Sequence, residues 1–340
     1  MNIIKKWIFT LSLTAMGVCV VDCLGQQSTT KSAGFKGPVL LTVDFKPDVP
    51  LKYKFVCERQ IALNLDPSGR SRKGAGGKVQ NSTERLEMEI VYKPVEVDPY
   101  GYSIIEATCN SANVMRSSSS GRGRSGSDAT ESLVGRSFTL KITPTGKIAD
   151  YSSLETLIKE LGQKAFDGNA KRGRIKNADM IMDFVTTQWN IWDSVSSIKK
   201  PLKGLKKNRE WGSKLLAPMP FVSKVGRDVK YKLAGVIESN DVYFAEITSS
   251  YSLSKSPPED IPMPYAGSFQ MKGTFGFLRG YQVLSLEGAG RQLYDIERGL
   301  IKSDTQQYKA KVSTSILGLG GDSLEPNIEI NQTITMTLVE

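Results

Sequence analysis

From Pro38 to the C-terminal end of the chain, apolar side chains return at every second position, and this period constrains the fold more than composition does. In PLKYKFVCE, Leu51, Tyr53, Phe55 and Cys57 share one face, while Lys52, Lys54 and Glu58 take the other. Leu86, Met88, Ile90 and Tyr92 alternate with Arg85, Glu87, Glu89 and Lys93. The closing NIEINQTITMTLVE sets Ile328, Ile330, Ile334, Met336 and Leu338 against Glu329, Asn331, Thr333, Thr335 and Thr337. Strands of this kind bury one face and wet the other, as antiparallel sheets do. Further strands are expected at 227–236, 241–254, 267–277, 281–295, 300–315 and 326–339.

The period changes in the middle of the chain. Residues 152–167 carry Leu154, Leu157, Ile158, Leu161 and Phe166 near helical spacing, with Ser152 or Ser153 as the N-cap. Residues 178–198 place Ile181, Met182, Val185, Trp189, Trp192 and Val195 on one helical stripe. Such a stripe either packs on a sheet or lines a ligand cavity, and Met182, Trp189 and Trp192 are the candidate ligand contacts. The expected fold is mainly β with some α: an antiparallel curved sheet or half-barrel in two β-rich halves, with the helical segment packed on it. Segment boundaries follow: 1–25 a leader, 26–37 a flexible linker, 38–151 the first half, 152–210 helices and a basic connector, 211–340 the second half.

The leader reading rests on Lys5 and Lys6, the apolar run Trp7 to Val21, and small or polar residues around Gly25, the layout of a secretory signal peptide. That run is shorter than a membrane span and no later segment approaches one. Export to the periplasm, the envelope or the exterior is therefore expected. In an oxidising compartment Cys57 and Cys109 could form a disulfide, and two buried free thiols are equally open.

Charge is unevenly placed. The chain has 45 Lys and Arg against 35 Asp and Glu. Four runs, 70–78, 116–124, 171–176 and 199–209, hold 17 basic residues and no acidic one. They are either solvated loops or contacts for a lipid, a polysaccharide or another anionic envelope component. Arg122, Arg124, Arg172, Arg174, Lys206 and Lys207 are the candidate anion contacts.

Several chemistries are excluded or left without support. The chain has no histidine, which removes Ser-His-Asp and Cys-His nucleophiles and His-based metal sites. No Cys-x-x-Cys occurs, so no metal and no cofactor is expected. Gly121, Gly123 and Gly126 have dinucleotide-turn spacing, but the sequence after them leads into a strand where that motif needs a helix. Ser196 to Lys199 and Ser252 to Lys255 match Ser-x-x-Lys without its companion motifs. Glu106 and Glu246, both within apolar strand sequence, are the one general acid and base pair to consider.

LVGRSFTLKITPTGKIADYSSLETLIKEL, LEGAGRQLYDIERGLIKSDTQQYKAKV and the closing ITMTLVE together resemble a family of exported bacterial β-rich proteins of uncharacterised function. The resemblance spans most of residues 40–340. Its motifs are strand and turn punctuation, so it implies export and a β-rich fold and hands over no catalytic residue. The function expected is thus a non-enzymatic envelope or secreted protein binding an apolar ligand or an anionic surface. The alternative is a glycoside-type hydrolase using Glu106 and Glu246.

Overall fold

A computed structural model describes residues 31–32, 37–65, 67, 79–118, 128–166, 180–221, 224–258, 261, 279–315 and 325–339. The expected leader, the expected strand 267–277, the glycine motif at 121–126 and the basic runs 70–78 and 171–176 lie outside the described residues.

The alternating segments become long antiparallel strands: β1 (Lys31–Ser32), β2 (Leu51–Asn64), β3 (Val79–Val97), β4 (Ser103–Ser118), β5 (Ser137–Ile142), β6 (Ile148–Asp150), β7 (Glu210–Leu216), β8 (Gly226–Ser239), β9 (Val242–Leu253), β10 (Arg279–Asp295), β11 (Leu300–Ser315) and β12 (Asn327–Val339). They form one open sheet in the order β1-β8-β9-β10-β11-β12-β2-β3-β4-β5-β6, with β7 also paired to β8. β7 and β1 share the same edge of β8, at Lys232–Gly226 and at Glu238–Ile237 respectively. Part of the stretch expected as a flexible linker is therefore strand. Because β12 pairs with β2 from Asn327↔Asn64 to Val339↔Lys52, the two β-rich halves are a single sheet joined at its centre.

Two helices complete the fold, α1 (Ser152–Phe166) and α2 (Ile181–Ser196). The first turn of α1 is held by the Asp150 carboxylate, which accepts from Ser152 N at 2.9 Å. Ser153 Oγ accepts from Thr139 N of β5 instead of capping. α2 is enclosed by the sheet: Ile181, Phe184, Val185, Ile191, Trp192 and Val195 are all buried in the core that both halves build. Trp192 meets Phe45 and Tyr92 edge to face, at 5.4 and 5.5 Å between ring centres.

The sheet does not close. Between its last strand, β6, and the edge of β7 that is unpaired among the described residues stands α2. Trp211 Nε1 and Ser213 Oγ of β7 bond to Ser194 O and Asp193 Oδ1 of the helix, at 2.8 and 2.7 Å. On the other side Tyr151, next to β6, packs on Trp189 at 5.4 Å. The segment before β2 straps one end of the sheet, through Val39↔Leu205, Tyr294 with Thr42, and Asp44 N to Gly299 O. Gly299 has φ +66 at that crossing, and a Cβ there would stand 2.8 Å from Asp44 Cβ, so only glycine fits.

Candidate functional site

Enclosure of α2 brings its polar residues inside, where each must find a partner. Tyr92 OH donates to Gln188 Oε1 at 2.8 Å, and Gln188 Nε2 donates to Phe184 O. Ser194 Oγ bonds Gln292 Oε1 at 2.5 Å, and Tyr231 OH donates to Asp193 Oδ2 at 2.7 Å. Near the N-terminal end of α2, Asp183 pairs with Arg59 of β2. Arg59 also reaches Glu84 of β3 at 3.4 Å, and Gln332 Nε2 of β12 donates to Asp183 Oδ1 at 3.2 Å. Burial by itself would lower the Arg59 pKa, but the carboxylate of Asp183, helped by Cys57 and Glu84, holds it above the ordinary guanidinium value.

Arg59, Glu84, Asp183 and Gln332 were not singled out from sequence, although a signal was there. Arg59 falls in the inward register of Leu51, Tyr53, Phe55, Cys57, Ile61 and Leu63, and Glu84 in that of Leu86 and Met88. A charge in phase with buried apolar neighbours marks a buried pair.

Met182 and Trp192 are 1% exposed, so the interface between helix and sheet is filled with protein. Met182, expected as a ligand contact, is therefore packed against protein rather than facing a cavity. Cys57 and Cys109 are both free and buried. The expected disulfide does not form, and the register shows why. Cys57 stands opposite Leu86 and Cys109 opposite Ile90, with β3 between them. Two strand spacings, about 10 Å, exceed the roughly 7 Å that a disulfide spans. Burial, with the Asp183 charge adding to it, pushes the Cys57 thiol up to about 12. Burial pushes Cys109 to about 11, so neither is a thiolate near neutral pH.

Glu106 and Glu246 are not brought together. They lie on β4 and β9, six strand steps apart in the sheet order, about 29 Å along the curve. Glu106 is exposed, and Glu246 is bound by Arg291 Nε at 2.6 Å. A shared acid and base role needs both at one bond.

What the fold does assemble is a basic pocket of about 770 Å³ where the chain leaves α2 and turns into β7. Lys199, Lys200, Lys203, Lys206 and Arg209 line it, with Glu210 the one acidic residue among them. All five cations are exposed. Among the described residues none of them is in an ion pair, whereas Arg116 of another basic run is tied to Asp128 and Glu84. Pro38, Ile198, Leu205 and Trp211 supply apolar wall, and the Trp211 ring stacks on Tyr231 at 5.6 Å. A turn through Gly204, at φ +62 against Pro38, folds the lysines around this wall. Of the candidate anion contacts, Lys206 lines the pocket and Lys207 is exposed beside Gly235 of β8. Arg122, Arg124, Arg172 and Arg174 lie outside the described residues.

A second pocket, about 540 Å³, opens at the seam between β6 and β7. Trp189 and Trp192 both line it, beside Ile148, Pro257, Pro258 and Ile261. Trp189 is only partly buried, and it is the residue of the expected Met and Trp stripe that faces this opening. A third groove, about 1000 Å³, crosses β10, β11, β12, β2, β3 and β4 and is lined largely by the solvent-face residues of those strands, such as Gln60, Arg85, Lys309 and Thr333. Among the described residues no cluster of His, Cys, Asp or Glu could hold a metal, and no helix is long and apolar enough to cross a membrane.

No family model and no curated protein matches this chain. Among solved structures, one concerned with lipid–protein interactions in lipovitellin is similar over 87% of this chain, at 10% identity and a TM-score of 0.44. This chain spans 26% of that one. A mutant of the Rh. blastica porin covers 85% of this chain and 99% of its own, at 8% identity and a TM-score of 0.13. At these scores neither likeness carries a functional conclusion.

Proposed function

We propose that this is an exported, non-enzymatic binding protein whose basic pocket beside β7 holds an anionic group. The observation that carries the reading is five cations gathered in one concave site with no ion pair among the described residues. Charges left uncompensated in a concavity raise the local positive potential and favour an anion. The pocket volume is within the usual range of small-molecule sites, about 300–1,000 Å³. Lys5 and Lys6 before an apolar run support export. The high-pKa thiols, the separation of Glu106 from Glu246 and the lack of histidine all support binding over catalysis.

The test is calorimetric titration with inorganic phosphate at low ionic strength. Binding is expected, weakening as salt is raised. The K203E/K206E double variant should lose at least tenfold in affinity. Lys311→Glu, which removes an exposed partner of Glu329 on a distant strand, should leave binding unchanged. Absence of phosphate binding, or equal affinity in wild type and K203E/K206E, overturns the reading.

A further inference from the structure

We infer that the basic pocket and the seam pocket are two parts of one site, built for an amphiphile with an anionic head and a single apolar chain. This rests on the anion reading of the basic pocket given above. Ser197 and Gly212 line both pockets, so the two adjoin across a sill made of the smallest side chain and a hydroxymethyl group. Gly212 is exposed, and a side chain there would stand between the compartments, its Cβ 3.3 Å from Val229 O.

The seam side has the character of a chain site. Its apolar wall is Trp189, Ile148, Ile261 and the Pro257-Pro258 pair. Two of its buried polar residues are already satisfied by the protein, whereas the buried Trp192 Nε1 has no hydrogen-bond partner among the described residues. Gln188 is bonded to Tyr92 and Phe184 O, while Asp193 is bonded to Ser213 and Tyr231. Groups with their partners in place make no polar demand on a ligand, so an apolar segment can cover them without leaving a donor or acceptor stranded. Lys147 and Lys214, which also line the seam pocket, add positive potential rather than repelling an anion.

The position follows from the topology. Among the described residues the sheet leaves one gap, between β6 and the unpaired edge of β7, and α2 stands in it. A chain entering there lies along the helix and between two strand edges, and it breaks no strand pairing. Its charged end then falls where the polypeptide leaves α2, among Lys199, Lys203 and Lys206. Charge complementarity therefore fixes the direction of the ligand as well as its class.

The experiment compares three probes by titration below micelle concentration: dodecyl phosphate, inorganic phosphate and the neutral dodecyl maltoside. Dodecyl phosphate is expected to bind at least tenfold tighter than inorganic phosphate, and dodecyl maltoside at least tenfold weaker than dodecyl phosphate. Trp189→Ala should bring dodecyl phosphate down to the inorganic phosphate level while phosphate itself is unaffected, and Gly212→Val should weaken dodecyl phosphate at least tenfold, with thermal melts confirming that both variants fold. If dodecyl phosphate binds no tighter than phosphate, or if both variants retain its full affinity, the bipartite site is overturned and the anion pocket stands. If neither anion binds, the anion reading falls and this inference with it.

Discussion

Two buried arginines flank α2, and the fold compensates their charges in different ways. Arg59, on β2, is met by two carboxylates, Asp183 and Glu84. Arg227, on β8, has no carboxylate within ion-pair distance among the described residues. Its guanidinium lies 5.0 Å from the ring centres of both Tyr251 and Tyr308, and it donates to Asn190 Oδ1 at 2.6 Å and Gln306 Oε1 at 3.1 Å. One site uses opposite charge and the other uses aromatic faces and amide oxygens. At both ends burial raises a neighbouring acid, Asp183 beside Arg59 and Asp304 beside Gln306. Gln306 Nε2 donates to Asp304 at 2.5 Å. Burial nevertheless pushes the Asp304 carboxyl up to about 6, against the pull of Gln306 and Arg227.

The largest effect should come from Arg59→Met, which leaves Asp183 buried without a cation and Glu84 with Arg116 alone at 3.5 Å. A loss of about 3–5 kcal/mol in denaturant unfolding is expected. Neutralising the site together, as R59M/E84Q/D183N, should recover much of it, since no charge is then left unpaired. A triple variant no more stable than R59M would break the account of this end.

The Arg227 end should announce itself through pH. A carboxyl whose folded pKa exceeds its unfolded value is held protonated by the folded state. Its contribution to stability is therefore present below about pH 4 and lost as pH climbs through about 6. For a rise of about two units this amounts to about 3 kcal/mol. Asp193, against its bonds from Ser213 and Tyr231, and Asp183, against the pull of Arg59, are also raised by burial and act in the same direction. Asp304→Asn should flatten much of the slope between pH 4 and 6, and an unchanged slope would refute the assignment.

Arg227→Met should cost less than Arg59→Met, about 1–3 kcal/mol, because what remains unpaired is amide oxygen rather than carboxylate. A larger loss than at Arg59 would invert the comparison. The smallest effect marks the solvent face. Arg291→Ala removes the 2.6 Å pair with Glu246, and unfolding should change by no more than about 1 kcal/mol.

Much of this architecture was legible in the chain, and the places where it was not share a cause. Alternation located β8 to β12 nearly to their ends, and the first half of β2 and the middle of β3, since a half-buried strand must change face at each residue. It also carried the misfit of Arg59 and Glu84, a local clue that stays ambiguous until a partner is known. That partner, Asp183, is 124 residues from Arg59, beyond any spacing rule. The Met and Trp stripe predicted α2 and its apolar side. It gave no hint that Asp183, Gln188, Asn190 and Asp193 on the other sides would be buried too, because that follows from the sheet curving around the helix.

The basic connector makes the same distinction. Its composition was plain in KKPLKGLKKNR, and with it the preference for an anion. That five of its cations gather over Trp211, next to a seam holding Trp189, was decided by tertiary structure. Sequence by itself determined which residues take the inner and outer faces of each strand and where the unbalanced charge resides, since both are local properties of the chain. Only the folded sheet decided which charges meet and which edges stay open. Those outcomes depend on β12 joining β2 at the centre and on α2 standing where closure would otherwise occur.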